Sequence, residues 1–130
     1  MDQPNPKTFC VAPWFQIRNQ NDMSKKVCCV IDNNTATTGS TFGHLNQDKN
    51  ISLKKNLHAG VRDSACGKCW RDEDNEVKSL RQKLNGALLN NKQDLSGTWI
   101  QSYFNHKQDW KSDRLLMADV KIGNTCNHAC

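Results

Sequence analysis

Seven cysteines in a chain of 130 residues are the side chains best able to do chemistry. Two are spaced as Cys66-x-x-Cys69 and two as Cys126-x-x-x-Cys130, and both spacings are typical of thiolates that share a metal or a cluster. The full set is Cys10, Cys28, Cys29, Cys66, Cys69, Cys126 and Cys130. This density predicts a metal or iron–sulfur protein.

The N-terminus indicates where these cysteines are expected to work. Residues 1–6 are polar and contain none of the apolar run that a signal peptide needs. No segment approaches the length of a transmembrane helix. We therefore expect a cytoplasmic protein without a membrane partner, in which reduced thiols serve as metal or cluster ligands and do not form disulfides.

Four of the cysteines are expected to close one site. Cys66 and Cys69 enclose Gly67, whose loop offers backbone N–H groups to the sulfurs. Cys28 and Cys29 are adjacent on a predicted strand, so their side chains point to opposite faces and only one is expected to be a ligand. The predicted ligands are Cys10, Cys28, Cys66 and Cys69, with Cys29 as the substitute for Cys28.

Spacing alone leaves the identity of the metal open. Iron–sulfur clusters and zinc both accept four thiolates. The Cys66-x-x-Cys69 pair suits a zinc knuckle, although the second Cys-x-x-Cys of a zinc ribbon is missing.

The elements that must position these residues are a hairpin and several helices. Residues 9–18 and 25–31 read as two strands of a β-hairpin. A short helix capped by Asn50 or Ser52 is expected to end at Gly60, and a longer one over 72–90. Another is expected over 96–105, before a strand at 115–122. The fold class is therefore α+β, with a small cysteine-rich hairpin and helices around a metal cluster.

The order of the motifs resembles the N-terminal half of twitch-type radical S-adenosylmethionine (radical SAM) proteins. The similar segments are Phe9-Cys10-Val11-Ala12-Pro13-Trp14, Val27-Cys28-Cys29, Gly43-His44-Leu45, Cys66-Gly67-Lys68-Cys69, Glu76-x-x-Ser79-Leu80-Arg81-Gln82, and the stretch from Ala118 to Cys130. Two departures are that His44 stands where the family more often has Asn, and that the hairpin turn lacks its usual glycine.

The resemblance implies a division of the chain. Residues 1–8 would be a polar leader and residues 9–112 a twitch or SPASM-like module, in which the four predicted ligands hold an auxiliary [4Fe–4S] cluster. Residues 113–130 would begin a radical SAM barrel, with its first strand and part of its cluster loop. There Cys126 and Cys130 would bind a second [4Fe–4S] cluster, whose open iron takes S-adenosylmethionine.

The resemblance also implies an enzyme in the full-length parent, reduced by a partner protein and acting on an unknown substrate, for which a peptide is one candidate. The loop of that family carries three cysteines, so we expect the third to lie beyond Cys130 and the 130-residue chain to be inactive alone. The alternative is a stand-alone zinc- or cluster-binding interaction module without catalysis.

The remaining polar residues give weaker signals. The net charge of +5 is scattered and not interleaved with aromatic residues, so no specific nucleic-acid partner is expected. His44, His58, His106 and His128 match no nucleophile signature and are assigned no role. Ser79 and Arg81 are expected on an exposed helix face, or alternatively facing the cluster. Trp14 and Trp70 are expected to shield the cluster from solvent.

Overall fold

The structure is a computed structural model that describes residues 1–89 and 97–120. Its helices are α1 (Ala12–Phe15), α2 (Thr41–Leu45), α3 (Asp48–His58), α4 (Gly67–Asp74), α5 (Leu80–Leu88) and α6 (Trp99–His106). Its strands are β1 (Gln16–Asn19), β2 (Lys25–Lys26) and β3 (Met117–Val120). Short 3₁₀ turns cover Asn33–Thr35 and Ser64–Cys66. The described residues therefore have an α+β fold, as the sequence predicts.

A three-stranded sheet places β1, from the first part of the chain, beside β3, which ends the described residues. The strand order is β2-β1-β3, with β1 antiparallel to β2 and parallel to β3. Ile17 lies opposite Ala118, and the Arg18 guanidinium forms an ion pair with the Asp119 carboxylate at 2.5 Å. The strand predicted at 115–122 is present at 117–120, without residues 115 and 116, and residues 121 and 122 lie outside the described part of the chain.

The predicted hairpin is much shorter than expected, and its first strand is partly a helix. Residues 12–15 form α1, because Pro13 in the first turn fixes a helical φ and gives up an N–H that the helix does not need. β2 is only two residues long. Met23 adopts a left-handed φ of 71° in the connecting turn, which explains how this turn forms without a glycine.

The predicted long helix over 72–90 is interrupted. α4 ends at Asp74, Glu76 adopts a left-handed φ of 61°, and α5 begins after Ser79. Ser79 and Gln82 form a reciprocal capping box, which satisfies backbone N–H groups at the new helix start. The break turns Val77 outward, where it is 54% exposed, although its spacing predicts a buried position.

The short helix before Gly60 forms with a different start. α3 begins after Gln47, and neither Asn50 nor Ser52 is its N-cap. Gly60 follows the helix with a φ of +90°, as expected for a glycine that ends a helix.

The core has two parts. One packs around the cysteines and contains Ala12, Ile17, Val27, Cys28, Ile31, Leu45, Leu53, Leu57 and Trp70. The other is largely aromatic and contains Phe9, Val11, Trp14, Phe15, Leu89, Ile100 and Phe104. In the aromatic part, Trp14 meets Phe104 edge-to-face at 5.1 Å between ring centroids. Large aromatic residues thus supply much of the core, as the low apolar content of the chain requires.

Lys54 joins α2, α3 and the segment before β3. Its ammonium group is buried and donates to the carbonyls of Leu45 at 2.9 Å and Trp110 at 3.0 Å. It also lies 4.9 Å from the centroid of the Trp14 ring. Burial lowers the pKa of this lysine from 10.5 to about 7, with a further contribution from the charge of Lys107.

Among the residues that the structure describes, no helix is both long and apolar enough to cross a membrane.

Candidate metal centre

Cys10 lies in the segment that leads into α1 and is held there by α5. The Asn85 side chain accepts a hydrogen bond from the Val11 N–H at 3.0 Å and donates one to the Phe9 carbonyl at 2.8 Å. The residues on both sides of Cys10 are therefore fixed to the same amide. The Ala12 N–H approaches the Cys10 sulfur at 3.4 Å.

Cys28 lies in a turn after β2, and not on a strand. The expectation that Cys28 and Cys29 alternate across a strand is therefore wrong, because β2 ends at Lys26. The turn nevertheless separates them. Cys28 is buried among the core residues with backbone N–H groups of Val30 and Ile31 near its sulfur, whereas Cys29 is only half-buried.

Cys66 and Cys69 are presented by the start of α4. Cys66 is the last residue of a 3₁₀ turn capped by Asp63, whose carboxylate accepts the Ala65 N–H at 2.9 Å. Cys69 follows in the first turn of α4. The Ala65 carbonyl accepts the Asp32 N–H at 3.1 Å, which ties this turn to the segment after Cys28.

The four predicted ligands line one cavity. Its walls comprise Cys10, Cys28, Cys66 and Cys69 with Val30, Ile31, Leu57, Trp70, Leu80, Arg81 and Leu84. The space free of protein atoms is about 350 Å³, counting the part that opens to solvent. Every pair among the four thiols is close enough to interact electrostatically. Cys29 does not line this cavity.

Burial raises the pKa of three of these thiols. Desolvation raises the pKa of Cys10 from 9.0 to about 12 and that of Cys28 to about 11. Desolvation also raises the pKa of Cys66, and the neighbouring cysteines and Asp63 add to the effect. Without a cation Cys10, Cys28 and Cys66 are thus neutral thiols, and a metal or cluster must displace their protons to bind.

Arg81 is part of the cavity wall, and its positive charge acts on the Cys10 thiol. It is 6% exposed and forms a two-point ion pair with Glu73, at 2.9 Å from Nε and 2.6 Å from Nη2. Its Nη1 donates to the Phe9 carbonyl at 2.8 Å and to the Pro6 carbonyl at 3.2 Å. Of the two positions that the sequence allowed for Arg81, the structure has the one that faces the cysteines.

The ion pair depends on the break between α4 and α5. Burial opposes ionisation of Glu73, but hydrogen bonds from Arg81 and from the Ser79 hydroxyl outweigh it and hold the pKa of Glu73 below its ordinary value. Sequence analysis missed Glu73 and Asn85. Asn85 lies four residues after Arg81, on the same helix face, and that spacing is the signal that could have found it.

Of the tryptophans and histidines considered in the sequence, Trp70 lines the cavity and the others within the described residues do not. Trp70 donates from its indole N–H to the Asp63 carbonyl at 2.8 Å. Trp14 packs in the aromatic part of the core and does not line the cavity, so it does not shield the thiols directly. His44 and His58 are buried, away from the cavity walls.

Cys126 and Cys130 lie outside the described residues, as does the end of the predicted 115–122 strand. Within residues 1–89 and 97–120, no three His, Cys, Asp or Glu side chains are arranged so that they could hold a metal ion. The five cysteines described there form no disulfide. In comparisons with known proteins, no family model, no curated protein and no solved structure matches the chain.

Proposed function

We propose that the chain binds a [4Fe–4S] cluster through Cys10, Cys28, Cys66 and Cys69. The observation that carries the proposal is that these four thiols, which come from three separate segments of the sequence, line a single cavity with otherwise mostly apolar walls. Four thiolates are the usual ligand set of such a cluster. An apolar shell limits solvent access, which is one of the means by which proteins protect and tune a cluster.

The order of the motifs favours a cluster over a single zinc ion. Zinc and a [4Fe–4S] cluster both accept four thiolates, so the four cysteines by themselves fit either group. The resemblance of the segments from Phe9 to Cys130 to radical SAM proteins is what selects the cluster.

The wider setting that we propose is the auxiliary-cluster module of a radical SAM enzyme. It is supported by the order of the motifs from Phe9 to Cys130 and by the parallel pairing of β3 with β1, which joins the segment before Cys126 to the module. Cys126 and Cys130 would contribute to the second [4Fe–4S] cluster. That cluster supplies an electron for cleavage of S-adenosylmethionine, whereas the described residues bind and shield the auxiliary one.

The proposal is tested by iron and sulfide analysis of protein purified and reconstituted anaerobically. The wild-type chain is expected to be brown, and Cys28→Ser is expected to lose most of the auxiliary cluster. Cys29→Ser is the matched control, because the Cys29 thiol is adjacent in sequence but does not line the cavity. To remove any signal from the second site, both substitutions are made in a chain that also carries Cys126→Ser and Cys130→Ser.

Three results would contradict the proposal. Colourless wild-type protein that retains stoichiometric zinc would favour the zinc-binding interaction module. Equal loss of iron from the Cys28 and Cys29 variants would refute the ligand assignment. Full cluster content after Cys66→Ser or Cys69→Ser would refute the four-thiolate site.

A further inference from the structure

We infer that Arg81 is a positioning residue for the proposed cluster. Arg81 fixes the Cys10 segment, and its charge raises the reduction potential of the cluster. The inference rests on the proposed function, since it concerns the same cavity. It goes beyond the ligand set because Arg81 is not a ligand. It assigns the Glu73–Arg81 ion pair a role in setting the reduction potential of the proposed cluster.

Arg81 is held in the cavity wall by hydrogen bonds at three of its nitrogen atoms. Its guanidinium is held at Nε and Nη2 by Glu73 and at Nη1 by two backbone carbonyls. One of those carbonyls belongs to Phe9, the residue before Cys10. A cation fixed by four hydrogen bonds at this point holds both its own position and that of the first ligand segment.

A second arginine near the same tryptophan shows what distinguishes Arg81. Arg62 and Arg81 lie 5.4 and 5.7 Å from the Trp70 ring centroid. Arg62 is paired with Asp74 on the surface, and its side chain is 47% exposed. Arg81 is 6% exposed and lines the cavity, whereas Arg62 does not. Water therefore screens the charge of Arg62 far more than that of Arg81.

The sign of the effect follows from the charge of the cluster. A [4Fe–4S]²⁺ core with four thiolates has a net charge of −2, and one electron takes it to −3. A fixed cation beside the cavity stabilises the reduced form more than the oxidised form and so raises the potential. Glu73 partly cancels this field, but it does not itself line the cavity. Neutralising Arg81 should therefore lower the reduction potential, and neutralising Glu73 should raise it.

The test is a redox titration with dithionite, under anaerobic conditions, of the cluster-loaded chain carrying Cys126→Ser and Cys130→Ser. Arg81→Gln is expected to lower the ratio of reduced to oxidised cluster about tenfold at a given potential, which corresponds to about 59 mV for one electron. Glu73→Gln is expected to raise the same ratio, by a smaller factor. Arg62→Gln is the matched control and is expected to leave it within twofold of wild type.

Arg81→Lys keeps the charge without the planar fork. This variant is expected to lose iron faster than wild type, but its reduction potential should lie closer to that of wild type than the potential of Arg81→Gln does. If Arg81→Gln does not fold, the comparison of Arg81→Lys with Glu73→Gln tests the inference. Shifts in the same direction for the arginine and glutamate variants, or shifts no larger than that of Arg62→Gln, would overturn the inference while the cluster proposal stands. Wild-type protein without iron and sulfide would instead overturn the proposed function, and the inference with it.

Discussion

Replacing Asn85 with alanine is expected to destabilise the cluster-free protein, because it removes the amide that holds both neighbours of Cys10. The Asn85 side chain accepts the Val11 N–H and donates to the Phe9 carbonyl. Phe9 and Val11 are 1% and 0% exposed, so water cannot replace the lost partner. The Phe9 carbonyl keeps a hydrogen bond from Arg81, but the Val11 N–H has no comparable substitute.

The magnitude can be worked from these contacts. An unpaired buried N–H costs about 1–3 kcal/mol, and the lost bond to the Phe9 carbonyl adds about 1 kcal/mol. Alanine has the higher helix propensity and returns up to about 0.7 kcal/mol. The expected loss in the free energy of unfolding is therefore about 1–3 kcal/mol, a large part of the stability of a small domain.

The assay is urea denaturation of apo protein at pH 7 under anaerobic, reducing conditions, followed by far-UV circular dichroism. Lys83→Ala is the control on the same helix, since its side chain is exposed, and it should stay within about 0.5 kcal/mol of wild type. If Asn85→Ala unfolds at the same urea concentration as Lys83→Ala, the hydrogen bonds to the Cys10 segment do not hold it as described.

Two further predictions concern stability. Burial and the charge of Lys25 lower the pKa of His44 from 6.5 to about 4. As the pH falls, His44 is therefore protonated in the unfolded chain before it is protonated in the folded one. The free energy of unfolding should then decrease by up to about 1.4 kcal/mol for each pH unit as the pH falls from 6.5 to 4. His44→Asn, which can still accept from Thr37, should reduce that slope in denaturation midpoints measured across the range, and an unchanged slope would assign it to other groups. Gly60→Ala should destabilise by about 1–3 kcal/mol, because Gly60 has a φ of +90° and a new Cβ would lie 2.7 Å from Asn5 Nδ2. Gly67→Ala, at an ordinary helical φ of −54°, is its control and should be neutral or stabilising in thermal unfolding of the apo protein.

Residue type and spacing were enough to single out the cysteines that line the cavity, but part of the reasoning was wrong. Only one of Cys28 and Cys29 was expected to be a ligand, because a strand would send them to opposite faces. The structure separates them by a turn instead, since β2 stops at Lys26. An adjacent pair can diverge on a turning backbone as well as on a strand, so this expectation did not need the correct secondary structure, but it could not say which of the two lines the cavity. The ligand roles themselves remain a prediction.

The helix break shows which information the hydrophobic pattern lacks. Apolar residues continue at helical spacing from Val77 to Leu88, so periodicity alone predicts one helix. The capping signature Ser79-x-x-Gln82 was present in the sequence and marks the true start of α5. The contact of Glu73 with Arg81 could not be predicted, because residues eight apart meet this way only where the chain turns between them.

The face of α5 that meets the Cys10 segment explains why the cavity exists only in the folded chain. Arg81 and Asn85 bind backbone groups more than 70 residues away, and Leu84 between them packs against both parts of the core. The proposed ligands come from three separate segments, around residue 10, residue 28 and residues 66–69. No local stretch of the unfolded chain gathers four thiols, so most of the free energy of the proposed cluster binding would be available only to the native state. Assembly of the proposed cluster and packing of α5 against the Cys10 segment would then be one coupled equilibrium, in which a substitution such as Asn85→Ala is expected to weaken cluster retention without touching a proposed ligand.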